Sequence, residues 1–210
     1  MIVTASETRH RGFVREVLGR SDYAIISELV EPHTKVLDLG CGDGGLLEWL
    51  ARNKGVEGRG IEIDGAQVQR AISRGVSVYQ GDIDEGLADY PDQAFDYVIL
   101  SQTLQETRRP LRVLREMLRV GRYAIVAFPN FGHWSVRLAH LASGRAPKTK
   151  LFPYAWYDSP NIHFLTVRDF EELVEREGWV VERKIFLAGH MPAKLLPNLM
   201  AEVAVFLVRR

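Results

Sequence analysis

The sequence predicts an α/β fold: a doubly wound, mostly parallel sheet of seven strands, with an antiparallel C-terminal edge strand and an aromatic-rich insertion. Three observations predict it. Short apolar runs alternate with amphipathic stretches from Val36 to Phe128. Such alternation implies right-handed crossovers and parallel strands. Phe95–Ser101 is an almost continuous apolar run, as in a strand covered on both faces. Finally, Val36–Leu39 enters a glycine-rich turn, Gly40-Cys41-Gly42-Asp43-Gly44-Gly45, and an amphipathic run leaves it. That is strand, tight turn, helix.

Taken in order, residues 1–35 read as two helices. Phe13, Val14, Val17 and Leu18 share a face of the first; Ile25, Ile26, Leu29 and Val30 share a face of the second, which Pro32 ends. Val36–Leu39 is the first strand, and the helix after the glycine turn runs to about Asn53. Val56–Ile63 is the second strand. Its helix passes through Val68, Ala71 and Ile72 and closes at Gly75. Val76–Gln80 is the third strand and ends in Gly81-Asp82-Ile83-Asp84. After the fourth strand, Phe95–Ser101, Pro110 takes a favoured early position in the next helix. Leu111, Leu114, Met117 and Leu118 form its stripe and Gly121 caps it. Tyr123–Phe128 is the fifth strand, stopped by Pro129-Asn130.

From Phe131 to Leu165 the rhythm breaks into aromatics and prolines. It resumes at Thr166, an N-cap residue with Asp169 three places on. That helix runs to Glu177 and stops at Gly178; Trp179–Leu187 and Glu202–Val208 are the last two strands. No repeat or flexible linker interrupts the chain, so residues 1–210 read as one domain. Residues 131–165 are either a lid or a docking segment.

The chain-wide numbers restrict function. Lys+Arg and Asp+Glu both count 27, so no global field draws the protein to nucleic acid or to an anionic membrane. Cys41 is the only cysteine, which excludes an internal disulfide and suits a reducing compartment. No apolar signal segment or membrane-length run is present, so a soluble, cytoplasmic protein is expected.

Ligands of such sheets bind at the carboxyl ends of the strands, near the topological switch point. Gly40, Gly42 and Gly45 fit a dinucleotide turn; Gly40, Gly42 and Gly44 after Asp38 fit an adenosylmethionine turn. Asp38 decides between them. A carboxylate there repels a pyrophosphate but suits the ammonium and sulfonium groups of adenosylmethionine. Glu62 follows Gly42 by 20 positions, the spacing of a carboxylate that accepts both ribose hydroxyls. Asp82 is placed to accept from an adenine amino group, and Ile83 to meet the ring; Gly81-Asp82 is equally ordinary turn chemistry. Ile63 and Cys41 complete the expected cofactor contacts, with Cys41 a small residue filling the turn. Ser101-Gln102-Thr103-Leu104-Gln105 can orient the methionine end of the cofactor or an acceptor, or can simply cap the next helix.

Several chemistries are disfavoured. There is no Asn/Asp/Ser-Pro-Pro-aromatic motif after the fourth strand and no Gly-x-Ser-x-Gly elbow, and Cys41 is tied up in the turn. His133, His140 and His163 have no metal-motif spacing, so no metal is expected.

Asp38 to Gly44, Glu62 and Asp82 together resemble the class I adenosylmethionine-dependent methyltransferases, whose fold is Rossmann-like. Three further blocks, Ser101–Gln105, Pro129-Asn130-Phe131-Gly132-His133-Trp134 and Phe152–Thr166, resemble the methionine biosynthesis protein MetW family. Ser159 stands where that pattern expects Thr, which keeps a hydroxyl. The resemblance implies binding of adenosylmethionine or adenosylhomocysteine and a role beside the homoserine O-acyltransferase MetX. An active methyltransferase would draw its acceptor pocket from the aromatic segment. Gln102, Tyr154, Tyr157, Asp158 and His163 are then the candidate catalytic groups, although such aromatics serve as well in a core or an interface. A non-catalytic, cofactor-sensing partner of MetX is the alternative. RNA methylation is a distant third, given the zero net charge and the lack of a base-flipping motif.

Overall fold

A computed structural model describes residues 20–210. The helix expected around Phe13–Leu18 lies outside them. The described chain opens with α1 (Ser21–Leu29), then alternates β1 (Lys35–Leu39), α2 (Gly45–Lys54), β2 (Glu57–Glu62), α3 (Gly65–Ser73) and β3 (Ser77–Gln80). It continues through β4 (Phe95–Ser101), α4 (Pro110–Val120) and β5 (Gly121–Pro129). The C-terminal part holds α5 (Trp134–Ser143), α6 (Val167–Arg176), β6 (Val180–Ala188), β7 (Met191–Pro192), α7 (Pro197–Met200) and β8 (Val203–Arg209).

All the strands join one sheet in the order β3-β2-β1-β4-β5-β8-β6-β7. β1 to β5 pair in parallel, while β8 is antiparallel to both β5 and β6. The mostly parallel sheet with an antiparallel C-terminal part is as the sequence predicts. Two details differ. The last strand slots between β5 and β6, and a two-residue β7 adds an eighth strand to the expected seven. β7 is too short to carry a pattern legible in sequence.

Strand side chains alternate between the faces, and two cores follow from that period. Leu37, Leu39, Val98, Leu100, Val126 and Phe128 pack with Leu114 and Met117 of α4 and Phe170 of α6. Val36, Tyr97, Ile99, Ile125 and Ala127 pack on the other face with Ile25 and Ile26 of α1 and Leu46, Leu47 and Leu50 of α2. Thr166 caps α6 through the expected box: its hydroxyl accepts from the Asp169 amide, and the Asp169 carboxylate accepts from the Thr166 amide.

α5 lies inside the stretch expected to be irregular. His133 caps its N-terminus and Gly144, at φ 61°, ends it. Only Val136 of this helix is buried; Leu138 and Leu141 stay exposed. Without a buried stripe, its periodicity carries little signal.

Asn130, at the end of β5, ties this region together. It is fully buried. Its Nδ2 donates to the Ala201 carbonyl at 2.8 Å, and its Oδ1 accepts from the Gly132 and Val167 amides at 3.0 and 3.3 Å. Replacing it with Ala strands these buried groups. The expected loss is about 3 kcal/mol. Thermal denaturation should show a midpoint roughly 10 °C lower.

Candidate functional site

The chain runs outward from β1 to β3 and then crosses back to place β4 beside β1. The switch point therefore falls between the carboxyl ends of β1 and β4, at Gly40 and Ser101. A cavity of about 340 Å³ opens there.

The glycine turn forms its floor. The Gly40 and Cys41 amides both donate to the Ile61 carbonyl, at 2.8 and 3.1 Å, which draws the turn against β2. Gly40 has φ 72°, and a Cβ there would lie 2.8 Å from Thr103 Oγ1. Gly42 has φ 56° and open space within 4 Å of where its Cβ would sit. Gly40 thus lets two strand ends meet, and at Gly42 the positive φ alone favours glycine. Gly40→Ala combines a left-handed penalty with displacement of Thr103. It should cost about 2 kcal/mol in urea unfolding. It should also weaken ligand binding, since Gly40 and Thr103 both line the cavity.

Glu62, at the end of β2, organises this floor. Its Oε2 accepts from the Gly42 amide at 2.8 Å, and its Oε1 from the Ile63 and Asp64 amides at 2.9 Å each. Three of the roughly four lone-pair directions of a carboxylate are occupied. Glu62 therefore holds the turn in shape as well as facing the cavity.

Asp82, after β3, likewise has two duties. Its Oδ1 accepts from the Asp84 amide at 2.9 Å and its Oδ2 lies 3.4 Å from Arg108 Nη2, yet the residue lines the cavity beside Ile83. The turn reading is therefore realised, with Asp82 still on the cavity wall.

The end of β4 supplies the opposite wall. Ser101 Oγ donates to Asp22 Oδ2 at 2.5 Å, and Arg20 Nη2 donates to both Asp22 Oδ2 and Ser101 Oγ, at 2.6 and 2.9 Å. Gln102 follows with φ 57°, its amide bonded to the Ala127 carbonyl at 2.8 Å.

Of the expected cofactor contacts, Gly40, Glu62, Ile63, Asp82, Ile83 and Ser101 line the cavity, while Asp38, Cys41, Gly42 and Gly44 build the turn and strand behind it. The Cys41 thiol is buried against Gly60, and burial pushes it up to about 12, so it has no nucleophilic character. The expected catalytic candidates do not converge. Gln102 lines the cavity, but Tyr154, Tyr157 and Asp158 are exposed and off its wall. His163 lines a separate apolar cavity of about 270 Å³, with Leu104, Leu114 and Phe170.

Thr103, from the expected Ser101–Gln105 block, also lines the site, as do Arg20, Glu106 and Arg108, which no sequence motif marks. Arg20 is joined to Ser101 across 81 positions, and no local motif marks such a pair.

The cavity is acidic. Burial raises the Glu106 carboxyl, and Glu62 adds to the rise. Asp38 is 2% exposed and its Oδ1 has no hydrogen-bond donor among the described residues. Burial pushes its carboxyl up to about 7, against the pull of Arg20 and with reinforcement from Glu62 and Asp22. A buried, donorless carboxylate oxygen is costly, and a cation beside it relieves the cost. Arg20, the cation that pulls on it, is already paired with Asp22. This donor set fits a ligand with positive charge at the β1–β4 end and hydroxyls at Glu62, and does not fit a pyrophosphate. Among the described residues, no three His, Cys, Asp or Glu side chains are grouped to hold a metal ion, and no helix is long and apolar enough to cross a membrane.

The fold is that of the class I adenosylmethionine-dependent methyltransferases. A methyltransferase structure from Mesorhizobium loti superposes with a TM-score of 0.65 at 16% identity, over 92% of this chain and 100% of that one. The [4+2]-cyclase SpnF superposes with a TM-score of 0.63 at 17% identity, over 97% of this chain and 81% of its own, so the fold alone does not dictate methyl transfer. Within this class, the chain belongs to the MetW family: the family model for methionine biosynthesis protein MetW matches residues 20–208. A bifunctional methionine biosynthesis protein MetXA/MetW from Rhodopirellula baltica is 34% identical over 214 aligned residues, covering 96% of this chain and 34% of that protein. The chain spans about a third of the length of the curated relatives it matches.

Proposed function

We propose that the chain binds adenosylmethionine, or its demethylated product, in the cavity between β1 and β4, and serves methionine biosynthesis as a cofactor-sensing partner of the acyltransferase MetX. The observation that carries the cofactor reading is the buried Asp38 carboxylate with its donorless oxygen at the switch point. In this reading Ser101 faces the amino-acid end with the Asp38 charge behind the wall, Glu62 accepts from a ribose hydroxyl through its remaining lone pair, and Asp82 and Ile83 bound the adenine. Gly40 keeps the floor low enough for close approach. The support for a partner role is twofold. The polar groups expected to build an acceptor pocket lie apart, and a relative carries MetXA and MetW in one protein. Adenosylmethionine is made from methionine, so a partner that reads its level closes a feedback loop on the pathway.

Methyl transfer to a small-molecule acceptor is the second reading, favoured by Gln102 and Glu106 on the cavity wall. When bound, adenosylmethionine supplies an electrophilic methyl group. The chain's own part would be to hold an acceptor in line beside Gln102, where orientation dominates. Two assays separate the readings. Titrating MetX with the protein should change the acyltransferase rate in a manner that depends on adenosylmethionine; no association and no change in rate would contradict the partner role. Incubation with labelled adenosylmethionine and a metabolite extract should leave the extract unlabelled; transfer of label would establish the enzyme instead.

A further inference from the structure

Building on the MetX reading above, we propose that the exposed aromatic stretch Tyr154–Phe164, with the cationic turn before it, docks on an acidic-rimmed apolar face of MetX, and that Gln105 couples this docking to the cofactor cavity. Three observations carry the proposal.

The stretch presents large rings on an anchored backbone. Trp156 and Tyr157 are 79% and 70% exposed, with their rings edge to face at 5.6 Å. In the same segment Phe131 packs on Phe152 and Phe164, at 5.1 and 4.6 Å between ring centres. Tryptophan and tyrosine held out in this way are the usual anchors of a protein interface.

The charge around them is one-sided. Between residues 131 and 165, Arg137, Arg145, Lys148 and Lys150 face a single acid, Asp158, in a chain of zero net charge. Arg145, Lys148 and Lys150 are exposed and make no ion pair among the described residues. An acidic partner rim complements them. The fused relative, in which MetXA and MetW share one chain, favours MetX as that partner. Fusion keeps two docking domains at high effective concentration.

Gln105 links the stretch to the cavity. Its carbonyl accepts from both the Ile162 and His163 amides, at 2.8 and 3.0 Å. Its Nε2 donates to the Gln102 carbonyl at 2.6 Å, and Gln102 lines the cavity in a left-handed conformation. Gln105 is itself buried, and its Oε1 has no partner among the described residues. A shift of the 162–163 backbone therefore reaches the cavity wall through one side chain, at a residue whose strained conformation has a lower-energy alternative.

The test titrates the full chain against MetX of the same organism, with and without adenosylhomocysteine. Trp156→Ala and Lys148→Glu/Lys150→Glu are expected to weaken the complex at least tenfold while leaving adenosylhomocysteine affinity of the free chain unchanged. Wild-type chain should show reciprocal coupling: ligand and MetX change each other's affinity by the same factor. Gln105→Leu should bring that factor close to one. Should that variant fail to fold, Gln102→Gly, which relieves the left-handed strain outside the core, is expected to alter the factor. If both surface variants bind MetX as tightly as wild type, the docking surface is overturned while the partner role stands. If wild type does not bind MetX, both fall. An unchanged factor in the folding variant overturns the coupling. Salt-dependent capture of a single-stranded RNA oligonucleotide, lost in the Lys148→Glu/Lys150→Glu variant, would make the occupant a nucleic acid and overturn the proposal.

Discussion

Glu62→Gln should abolish useful cofactor binding and loosen the glycine turn together. The replacement is nearly isosteric, so packing is preserved. It changes one acceptor oxygen into a donor amide. Whichever way the amide is flipped, that donor meets a backbone N–H: Gly42 on one side, or Ile63 and Asp64 on the other. A charge-assisted acceptor contributes about 1.5–3 kcal/mol per hydrogen bond, and an unsatisfied buried donor costs a similar amount. The account therefore predicts adenosylhomocysteine binding weakened at least ~100-fold. It also predicts a stability loss of roughly 2 kcal/mol in urea. A Glu62→Gln variant that kept wild-type affinity would mean that Glu62 shapes the turn without contacting the ligand.

Asp38→Asn should do the opposite to stability while also harming binding. The Asp38 carboxyl moves from an ordinary 3.8 up to about 7 in the folded chain, with burial the main cause. Between those values the folded state holds a proton that the unfolded state has released. Stability is thus lost as pH rises from about 4 to about 7, and the loss is complete above the folded value. Asn has no such titration. At pH 8 the free variant should be more stable than wild type, by an amount on the order of 4 kcal/mol, with the difference shrinking towards pH 4. Cofactor binding should show the complementary profile. A cationic ligand needs the ionised carboxylate, so wild-type affinity for adenosylmethionine should rise up to ~tenfold per pH unit from pH 5 to 7 and then level off. The variant should be flat and weak throughout. Chemical denaturation and calorimetric titration across pH 5–8 check both halves. Stability given up at a site where a ligand restores it is the usual signature of a binding residue.

The first half of the chain was legible because its information is local. β1, the turn and α2 follow from a short apolar run, glycines where φ is positive and an amphipathic run, and Glu62 follows from its distance to Gly42. The other contacts of the site are long-range. Arg20 donates directly to Ser101 while paired with Asp22, a contact that no spacing announces. α5 carries little sequence signal because Leu138 and Leu141 face solvent, so its pattern lacks the buried stripe by which helices are read. Tyr154, Tyr157 and Asp158 are near in sequence, but all three are exposed on the surface. His163 was turned into a different cavity by the two amide bonds at Gln105. Aromatic clustering in a sequence signals contact without saying with what.

The central claim is that the acid-lined switch point between β1 and β4 is a nucleoside cofactor site. Calorimetric titration of adenosylhomocysteine at pH 7.5 tests it most directly, since this ligand cannot turn over. Saturable binding at one site per chain, which Glu62→Gln all but eliminates, is the expected result. An absence of binding by the wild-type chain, or binding that Glu62→Gln leaves intact, would contradict it.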